Sequence, residues 1–278
     1  MASKQSVQLS PVEETMLVPL FARAVESHRK HPMLVDRRAV EIAATIDWDF
    51  TRFNQRKRVI GCVIRTLVFD EFVRTFLERH PAGTVIEIGA GLNTRFERLD
   101  NQSVHWFDIE LPAVAELRRK HFPDSARRTL LAASIVDSDW VDAVRASPPP
   151  YFFVAETVLI YLPEPEVKAA LAQIARNFPG AEVALDTGTR RVLESGNKDF
   201  VRRKMAARFA WACEDPRNIE TWKDGLRLVE ARALSDIHDP LWSLLPFLAR
   251  AAIRVIARLF PNALRSYQLC LFQAPPRL

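Results

Sequence analysis

Cysteine is scarce in this sequence. Only three occur among 278 residues, and they lie far apart, at Cys62, Cys213 and Cys270. An odd number without paired spacing excludes a disulfide framework, a zinc site and a Cys-x-x-Cys redox pair. Unpaired cysteines are typical of a reducing compartment, so we predict a cytoplasmic protein with no bound metal.

Long apolar runs are also absent. No stretch reaches the roughly 18 apolar residues that a membrane-spanning helix needs. Residues 1–11 are polar and contain no apolar core of signal-peptide length. The sequence therefore predicts neither a membrane span nor a targeting segment.

No block of like charge stands out from the composition. The 39 basic and 34 acidic residues give a formal net charge of +5, with arginines scattered among the acids. Nucleic-acid-binding domains usually gather their basic residues into one patch or stripe. We therefore predict no nucleic-acid partner.

What the sequence does contain is an apolar fraction of 48%, enough for a sizeable core. Residues 13–30 and 57–77 place apolar side chains three and four positions apart, which predicts amphipathic helices. From Thr84 onward, short apolar runs alternate with helical stretches, which predicts βα units and a parallel sheet. We predict a helical N-terminal extension over residues 1–82 and an α/β domain over residues 83–278.

Seven short runs in the second region have the length and composition of strands. They are Thr84–Ile88, Val104–Ile109, Arg128–Ala132, Tyr151–Ala155, Glu182–Asp186, Leu226–Ala231 and Tyr267–Phe272. Helices are predicted over residues 112–119, 164–177, 199–213 and 241–259, the last interrupted at Pro246. The predicted fold class is a doubly wound α/β structure with a seven-stranded, mostly parallel sheet and a helical cap near residues 190–265.

The sharpest local feature is a strand that ends in a glycine turn, Glu87-Ile88-Gly89-Ala90-Gly91. Glycines let the backbone approach a ligand closely, and Glu87 favours a cationic group such as the ammonium or sulfonium of S-adenosylmethionine. A dinucleotide-binding turn would need a third glycine where Thr94 stands. A structural tight turn without a ligand remains the alternative.

Two acids, Asp108 and Glu110, end the next predicted strand about 20 residues after the glycine turn. An acid at this edge of a parallel sheet can accept hydrogen bonds from both ribose hydroxyls of a nucleoside. The alternative is that both carboxylates cap the following helix.

With these features the sequence resembles the leucine carboxyl methyltransferase family, in particular its polyketide O-methyltransferase (tetracenomycin-type) branch. The resemblance covers roughly residues 52–186. It rests on four motifs in the family order, which are Arg65-Thr66 with Phe69-Asp70-Glu71-Phe72, Ile88-Gly89-Ala90-Gly91-Leu92-Asn93-Thr94-Arg95, Trp106-Phe107-Asp108-Ile109-Glu110-Leu111-Pro112, and Ala155-Glu156-Thr157-Val158-Leu159-Ile160-Tyr161-Leu162.

The resemblance implies a Rossmann-like class I methyltransferase fold and S-adenosylmethionine as cofactor. It implies that Arg65 holds the methionine carboxylate, that the turn from Gly89 through Ala90 to Gly91 passes under the methionine portion, and that Glu110 holds the ribose. By the same resemblance, Glu156 faces the cofactor's amino group.

The sequence departs from the family pattern at four positions. Asn93, Glu110 and Ser134 stand where aspartate is usual, and Thr157 stands where glycine is usual. Ser134 follows the third strand at the adenine-contact position, but it carries no charge and offers only its hydroxyl group. Thr157 is expected to narrow the acceptor entrance.

From these observations we expect an O-methyltransferase that acts on a carboxylate or hydroxyl of a small, aromatic or polyketide-like molecule. Tyr161, Arg190 and Arg191 follow the fourth and fifth strands, where an acceptor would lie. A hydroxyl acceptor would need a general base, and His238 in a late loop is the candidate. The oligomeric state is left open.

Two other functions are compatible with parts of the sequence. An NAD-dependent reductase can use the same α/β core, although the missing third glycine argues against it. A non-catalytic interaction module could use residues 241–259, where Arg250, Arg254 and Arg258 recur every four positions.

Overall fold

The computed structural model of the protein describes residues 5–6, 9–53, 56–222 and 225–276. Its strands, numbered along the chain, are β1 (Gln5–Ser6), β2 (Ile46–Asp47), β3 (Thr84–Ile88), β4 (His105–Glu110), β5 (Arg128–Ala132), β6 (Tyr151–Ala155), β7 (Glu182–Gly188), β8 (Arg227–Arg232) and β9 (Tyr267–Gln273). The short strands β1 and β2 pair with each other in parallel. The other seven form one sheet.

The seven-stranded sheet has the order β5-β4-β3-β6-β7-β9-β8, and its strands are parallel except for β9, which runs antiparallel to both neighbours. This confirms the predicted fold class, and all seven predicted strands are present with ends within two residues of the prediction. The chain leaves β3 toward β4 and later returns to its other side as β6. This reversal creates a crevice at the carboxyl ends of β3 and β6, where α/β proteins bind ligands.

The helices are α1 (Leu17–Ser27), α2 (Arg37–Thr45), α3 (Arg56–Arg79), α4 (Arg95–Leu99), α5 (Pro112–His121), α6 (Val141–Arg145), α7 (Glu164–Asn177), α8 (Arg190–Arg202), α9 (Leu241–Leu244), α10 (Phe247–Leu259) and α11 (Pro261–Arg265). Short 3₁₀ turns occupy Glu13–Met16, Phe50–Phe53, Leu159–Tyr161, Pro216–Thr221 and Leu234–Asp236. None of the helices in the described ranges has both the length and the apolarity to cross a bilayer.

Alternation along the central strands places apolar side chains on both faces of the sheet. Ile86 and Ile88 of β3 pack into a core with α6 and α7, whereas Val85 of the same strand packs against α3. All five residues of β3 are buried. A strand covered on both faces is rich in apolar residues, and Val85, Ile86 and Ile88 made β3 recognisable in the sequence although Glu87 interrupts the run.

Helix predictions were confirmed where the periodicity was strong. The predicted helix over residues 57–77 is α3, residues 13–30 form a 3₁₀ turn followed by α1, and residues 241–259 form α9 and α10 on either side of Pro246. The proposed division of the chain at residue 82 stays a prediction.

The predicted helix over residues 199–213 was wrong. Helix α8 begins earlier, at Arg190, and ends at Arg202. Beyond it, burial alternates between buried Met205, Ala207 and Trp211 and exposed neighbours, as in a strand. The backbone N–H groups of Ala210 and Trp211 donate to the carbonyl oxygen of Ile160 instead of closing helical turns. Tertiary contacts have therefore overridden a helix-favouring composition.

Candidate active site

A cavity of about 410 Å³ opens at the carboxyl ends of the central strands. One part of its wall comes from strand ends and the turns after them, including Gly89–Gly91, Glu110, Ser134 and Glu156. Another part comes from the N-terminal segment around Val12–Pro19, ahead of the sheet in sequence. The contribution of this segment was not expected from the sequence, because it contains no recognisable site motif.

The glycine turn after β3 requires its glycines. Gly89 and Gly91 have positive φ angles of 59° and 51°, which other residues adopt at a cost. A β-carbon at Gly89 would lie 2.5 Å from a methyl carbon of Val158, and one at Gly91 would lie 2.9 Å from Cβ of Met16. The turn therefore packs closely against Val158 and Met16, and it lines the cavity.

Glu110 ends β4 beside this turn. One of its carboxylate oxygens accepts a hydrogen bond of 2.7 Å from the backbone N–H of Gly91, and the other accepts one of 3.0 Å from Leu111. Burial raises the pKa of Glu110 to about 7, against the opposing effect of the Gly91 N–H. The cavity thus contains a carboxyl group that changes charge near neutral pH.

Glu87 lies on β3 and is fully enclosed. Its Oε1 accepts hydrogen bonds from Arg95 and, at 2.7 Å, from the side chain of Asn93. Its Oε2 is buried and has no partner among the described residues, although Glu87 lines the cavity. Burial raises the pKa of Glu87 to about 7, although Arg95 opposes that shift. A buried acceptor without a partner favours a hydrogen-bond donor on a ligand.

Glu156 follows β6 and is held by three donors. Arg65 Nε lies 2.9 Å and Thr66 Oγ1 3.1 Å from its Oε1, while Arg95 Nη2 lies 2.5 Å from its Oε2. Burial alone would raise the pKa of Glu156, but the positive charges of Arg65 and Arg95 outweigh it and lower the pKa to about 2. Glu156 is therefore a permanent anion under the cavity.

These ion pairs belong to a larger buried network. Asp70 accepts from Arg95 at 2.8 Å and from Arg98 at 2.7 Å, and Arg98 also pairs with Asp36 at 3.2 Å. Asp36 in turn pairs with Arg23 at 3.0 Å. Four arginines and four carboxylates alternate in this network, so its charges balance when Glu87 is ionised. They are Arg23, Arg65, Arg95, Arg98, Asp36, Asp70, Glu87 and Glu156.

Sequence reasoning missed the central member of this network. Arg95 lies within the quoted motif after the glycine turn, but helix arginines are usually exposed and it received no role. Its full burial is the property that reveals it. A possible sequence indication was the clustering of acids in the other three motifs, since buried carboxylates need cationic partners.

Thr157 has a φ angle of +57°, a conformation that favours glycine. Its backbone N–H donates to Asp186 at 2.6 Å, and Asp186 also accepts a 2.5 Å hydrogen bond from the hydroxyl of Tyr267. Thr157 lines the cavity. A glycine at this position, usual in the resembled family, would adopt the same backbone without strain.

The far end of the cavity is aromatic. Tyr161 packs with Phe200 and Phe209 at ring-centroid distances of 6.5 and 5.0 Å, and Phe53 completes the wall. Burial raises the pKa of Tyr161 to about 12, so its hydroxyl stays protonated near neutral pH. Arg58 also lines the cavity and pairs with Asp199. This end therefore combines flat apolar surfaces with a cation and a hydroxyl donor.

The structure does not bring every predicted site residue to this cavity. Asp108 bonds instead to Arg118 at 3.0 Å and Arg128 at 2.8 Å, in the interior below the cavity. Arg190 and Arg191 are exposed on the first turn of α8, because β7 continues to Gly188 and the chain turns outward there. His238 lines a separate surface depression with Asp239, Trp242 and Arg254.

The strand order and the ligand crevice define the class I methyltransferase fold. A solved structure of a DUF574-family protein from Streptomyces avermitilis superposes with a TM-score of 0.56, covering 92% of this chain and 97% of that one at 12% identity. The match at this identity concerns the fold alone. It agrees with the seven-stranded topology described above.

Comparison of this sequence with known proteins identifies its family. The leucine carboxyl methyltransferase family matches residues 16–175. A tetracenomycin polyketide synthesis O-methyltransferase from Streptomyces glaucescens is 32% identical over 89% of both chains. An S-adenosyl-L-methionine-dependent methyltransferase from Gibberella zeae is 28% identical over 85% of this chain and 86% of its own. This chain belongs to the leucine carboxyl methyltransferase family.

The protein is therefore a methyltransferase that uses S-adenosylmethionine, as the sequence predicts, and the reductase alternative is set aside. The cavity fits this cofactor at two points. The Gly89–Gly91 turn lines the cavity with backbone at both glycines, and Glu87, which also lines it, has a buried Oε2 without a partner among the described residues. No cluster of metal-ligating side chains occurs within the described ranges.

Proposed function

We propose that the protein transfers a methyl group to a carboxylate or hydroxyl oxygen of a small, aromatic or polyketide-like acceptor. One observation carries this proposal. A single cavity connects the glycine turn and Glu110 to an aromatic wall of Tyr161, Phe200 and Phe209. The name of the Streptomyces glaucescens relative, a polyketide O-methyltransferase, supports the same acceptor class.

In the proposed complex, the cofactor occupies the strand-end half of the cavity. Arg65 holds its methionine carboxylate and Glu156 faces its amino group. Glu110 holds the ribose, and Ser134 contacts the adenine. When bound, the cofactor supplies an electrophilic methyl group on a sulfonium centre. All four side chains line the cavity, so each can reach a ligand placed there.

The acceptor occupies the aromatic half. Methyl transfer is an in-line displacement, so the protein must mainly orient the acceptor oxygen and exclude water, which can supply roughly 7–11 kcal/mol of the barrier. Flat apolar walls at Phe53, Phe200 and Phe209 can hold a ring system between them. The protonated hydroxyl of Tyr161 can donate a hydrogen bond to the acceptor.

An acidic acceptor would need a cation at this end, where Arg58 is paired with Asp199. A carboxylate or an ionised phenol needs no general base, and His238 lies outside the cavity. Arg58 is the cation that lines the aromatic half. We therefore propose that Arg58, in place of Arg190 or Arg191, pairs with the acceptor's negative charge.

Methyl transfer to a panel of aromatic acids, acidic phenols and their neutral analogues tests this proposal. We expect labelled product from the acidic compounds, with the label on oxygen. Activity confined to nitrogen or carbon acceptors would contradict the O-methyltransferase assignment while leaving the methyltransferase class intact.

The substitution Arg58→Met tests the acceptor cation. We expect kcat/KM for acidic acceptors to fall roughly 10- to 100-fold, the size of a lost charge-assisted hydrogen bond, with little change for neutral ones. Asp199 would keep its 3.0 Å pair with Arg203. Arg191→Met is the matched control, because it removes an exposed arginine outside the cavity. Equal losses in both variants, or none in either, would remove Arg58 from the site.

A further inference from the structure

The final part of the chain has an unusual charge distribution. No aspartate or glutamate occurs in residues 240–278, which contain five arginines, at positions 250, 254, 258, 265 and 277. These five charges equal the formal net charge of +5 of the whole chain, so the preceding residues carry equal numbers of acids and bases. The scattering of arginines inferred from the composition therefore does not extend to this segment.

Helix α10 lies in this segment and exposes apolar side chains to solvent. Leu248 is 68% exposed, Val255 56% and Leu259 62%. Their spacing of seven and four residues places them in one stripe along the helix. Phe247 and Phe260, at the two ends of the helix, are 73% and 63% exposed. Exposed apolar surface of this kind is uncommon on a protein surface that has no binding partner.

The other sides of α10 differ from this stripe. Ile253 is buried and anchors the helix to the core that also contains α3. Arg250, Arg254 and Arg258 recur every four residues and form a second stripe, between the buried side and the exposed apolar side. Arg254 lies over the ring of Trp242 at 5.3 Å. The helix thus presents an apolar face with a row of cations along its edge.

We propose that α10 binds reversibly to an anionic lipid surface, with its apolar stripe in the headgroup region and its arginines against lipid phosphates. A helix with an apolar face, a cationic polar face and no acidic residue is suited to lie in the plane of such an interface. Each arginine near an anionic leaflet adds attraction, which screening by salt weakens.

Charge argues for lipid over a second copy of the chain. A twofold contact through α10 would bring two rows of three arginines close together, and the depression beside Arg254 offers one carboxylate, Asp239, which is too few to neutralise them. A bilayer containing anionic lipid supplies both the apolar phase and the opposite charge. The proposal is independent of methyl transfer, because binding to lipid can be measured without acceptor or cofactor.

Flotation of the full chain with phosphatidylcholine vesicles, with and without phosphatidylglycerol, tests the proposal. We expect binding only when phosphatidylglycerol is present, and loss of binding as salt is raised. The triple variant Arg250→Gln, Arg254→Gln, Arg258→Gln should lower the partition coefficient roughly 100-fold, at about fivefold per arginine. The double variant Leu248→Ser, Val255→Ser should lower it at least about tenfold.

Matched controls alter the same residue types on other surfaces. Arg119→Gln, Lys120→Gln and Arg217→Gln together remove three exposed cations, and Val201→Ser with Val229→Ser removes two exposed valines. These variants should bind vesicles like the parent, and all variants should bind adenosylhomocysteine equally well. Equal binding to both vesicle types, or equal losses in controls and α10 variants, would overturn the proposal. The proposal would also be overturned if the parent chain bound no vesicles and formed a dimer that Leu248→Ser dissociates. A second copy of the chain would then cover the helix.

Discussion

The guanidinium group of Arg95 is fully buried and bonds to the carboxylates of Asp70, Glu87 and Glu156. Removing it would leave buried anions without their main partner. We expect Arg95→Met to lower the free energy of unfolding by about 3–5 kcal/mol. Denaturant unfolding monitored by circular dichroism measures this change.

Arg79→Met is the matched control for that prediction. Arg79 pairs with Glu182 at 2.8 Å, but its side chain is 49% exposed. The loss should stay within about 1 kcal/mol, because water screens an exposed pair. Similar losses in the two variants would show that the buried network contributes no more than a surface ion pair.

Glu110 should make stability depend on pH. Its pKa is about 7 in the folded protein, because of burial, against an ordinary value of 4.5. Between these values the folded state holds a proton that the unfolded state has lost, so stability falls as pH rises from about 4.5 to 7. We expect Glu110→Gln to remove a decline on the order of 2–3 kcal/mol from the parent's profile.

Chemical unfolding at a series of pH values checks this prediction, with the exposed Glu166→Gln as control. Glu87, whose pKa is also raised to about 7, should leave part of the decline in place. Glu156 acts in the opposite sense, because its pKa is lowered to about 2 in the folded protein. Its contribution to the free energy of unfolding is therefore lost as pH falls below 4.5. A profile for Glu110→Gln that matches the parent would contradict the assigned shift.

Cofactor affinity should depend on Arg65 and Glu110. We expect Arg65→Ala and Glu110→Ala each to weaken adenosylhomocysteine binding by roughly 1.5–3 kcal/mol, the usual size of a hydrogen bond to a charged group. Ser134→Ala should have a smaller effect, because its hydroxyl is uncharged. Titration calorimetry measures all three, and parent-like binding in both larger variants would refute the proposed cofactor contacts.

Several of these residues could be located from the sequence because strand order determines which strand ends meet. Glu110 and the glycine turn end neighbouring parallel strands, so their proximity followed from the predicted sheet. Arg95 and Arg58 could not be assigned in this way. The burial of both side chains depends on how helices pack over the sheet. Whether an arginine in a helix is buried cannot be predicted from the sequence around it.

At the scale of elements, α8 shapes the aromatic half of the cavity. Gly196 lies in this helix, and a β-carbon there would approach the ring of Phe209 to 2.4 Å. We expect Gly196→Ala to push that ring and raise the KM for acceptor, with a loss of about 1–3 kcal/mol in stability from overpacking. Adenosylhomocysteine affinity should stay unchanged.

Gly61→Ala in α3 is the control for that substitution. A β-carbon at Gly61 would meet no atom within 4 Å. Helix propensity alone should then raise the free energy of unfolding by roughly 0.5–1 kcal/mol. Thermal unfolding of both variants compares the two effects, and an equally stabilised Gly196→Ala protein would mean that Phe209 moves without cost.

Helices and strands could be predicted where burial imposed a clear pattern of apolar residues on the sequence. Strand β3 was found because three of its five residues, Val85, Ile86 and Ile88, are apolar, and α7 because its apolar residues recur on one side. The segment after α8 was mispredicted because Met205, Ala207 and Ala210 are good helix formers. Its true partners, the carbonyl groups of Ile160 and Gly188, are distant in sequence.

At the scale of the whole molecule, ligand binding and folding are coupled. Residues from the N-terminal segment, the central sheet and the region around α8 all line one cavity. A ligand that binds only this assembled state must stabilise the entire fold. We expect adenosylhomocysteine at 100 times its dissociation constant to add about 2.7 kcal/mol to the free energy of unfolding. Thermal unfolding over a ligand series measures this, and a shift produced by NAD instead would refute the cofactor.

The position of β9 affects how the sheet can assemble while the chain is being synthesised on the ribosome. Strand β8 pairs with β9 alone, and β9 lies between β7 and β8 in the sheet. Strand β8 therefore emerges before its partner exists, while the edge of β7 stays open over the same interval. Strand β9 thus joins two strands that are translated before it, and the edge of β7 must remain unpaired for the time needed to synthesise residues 189–266.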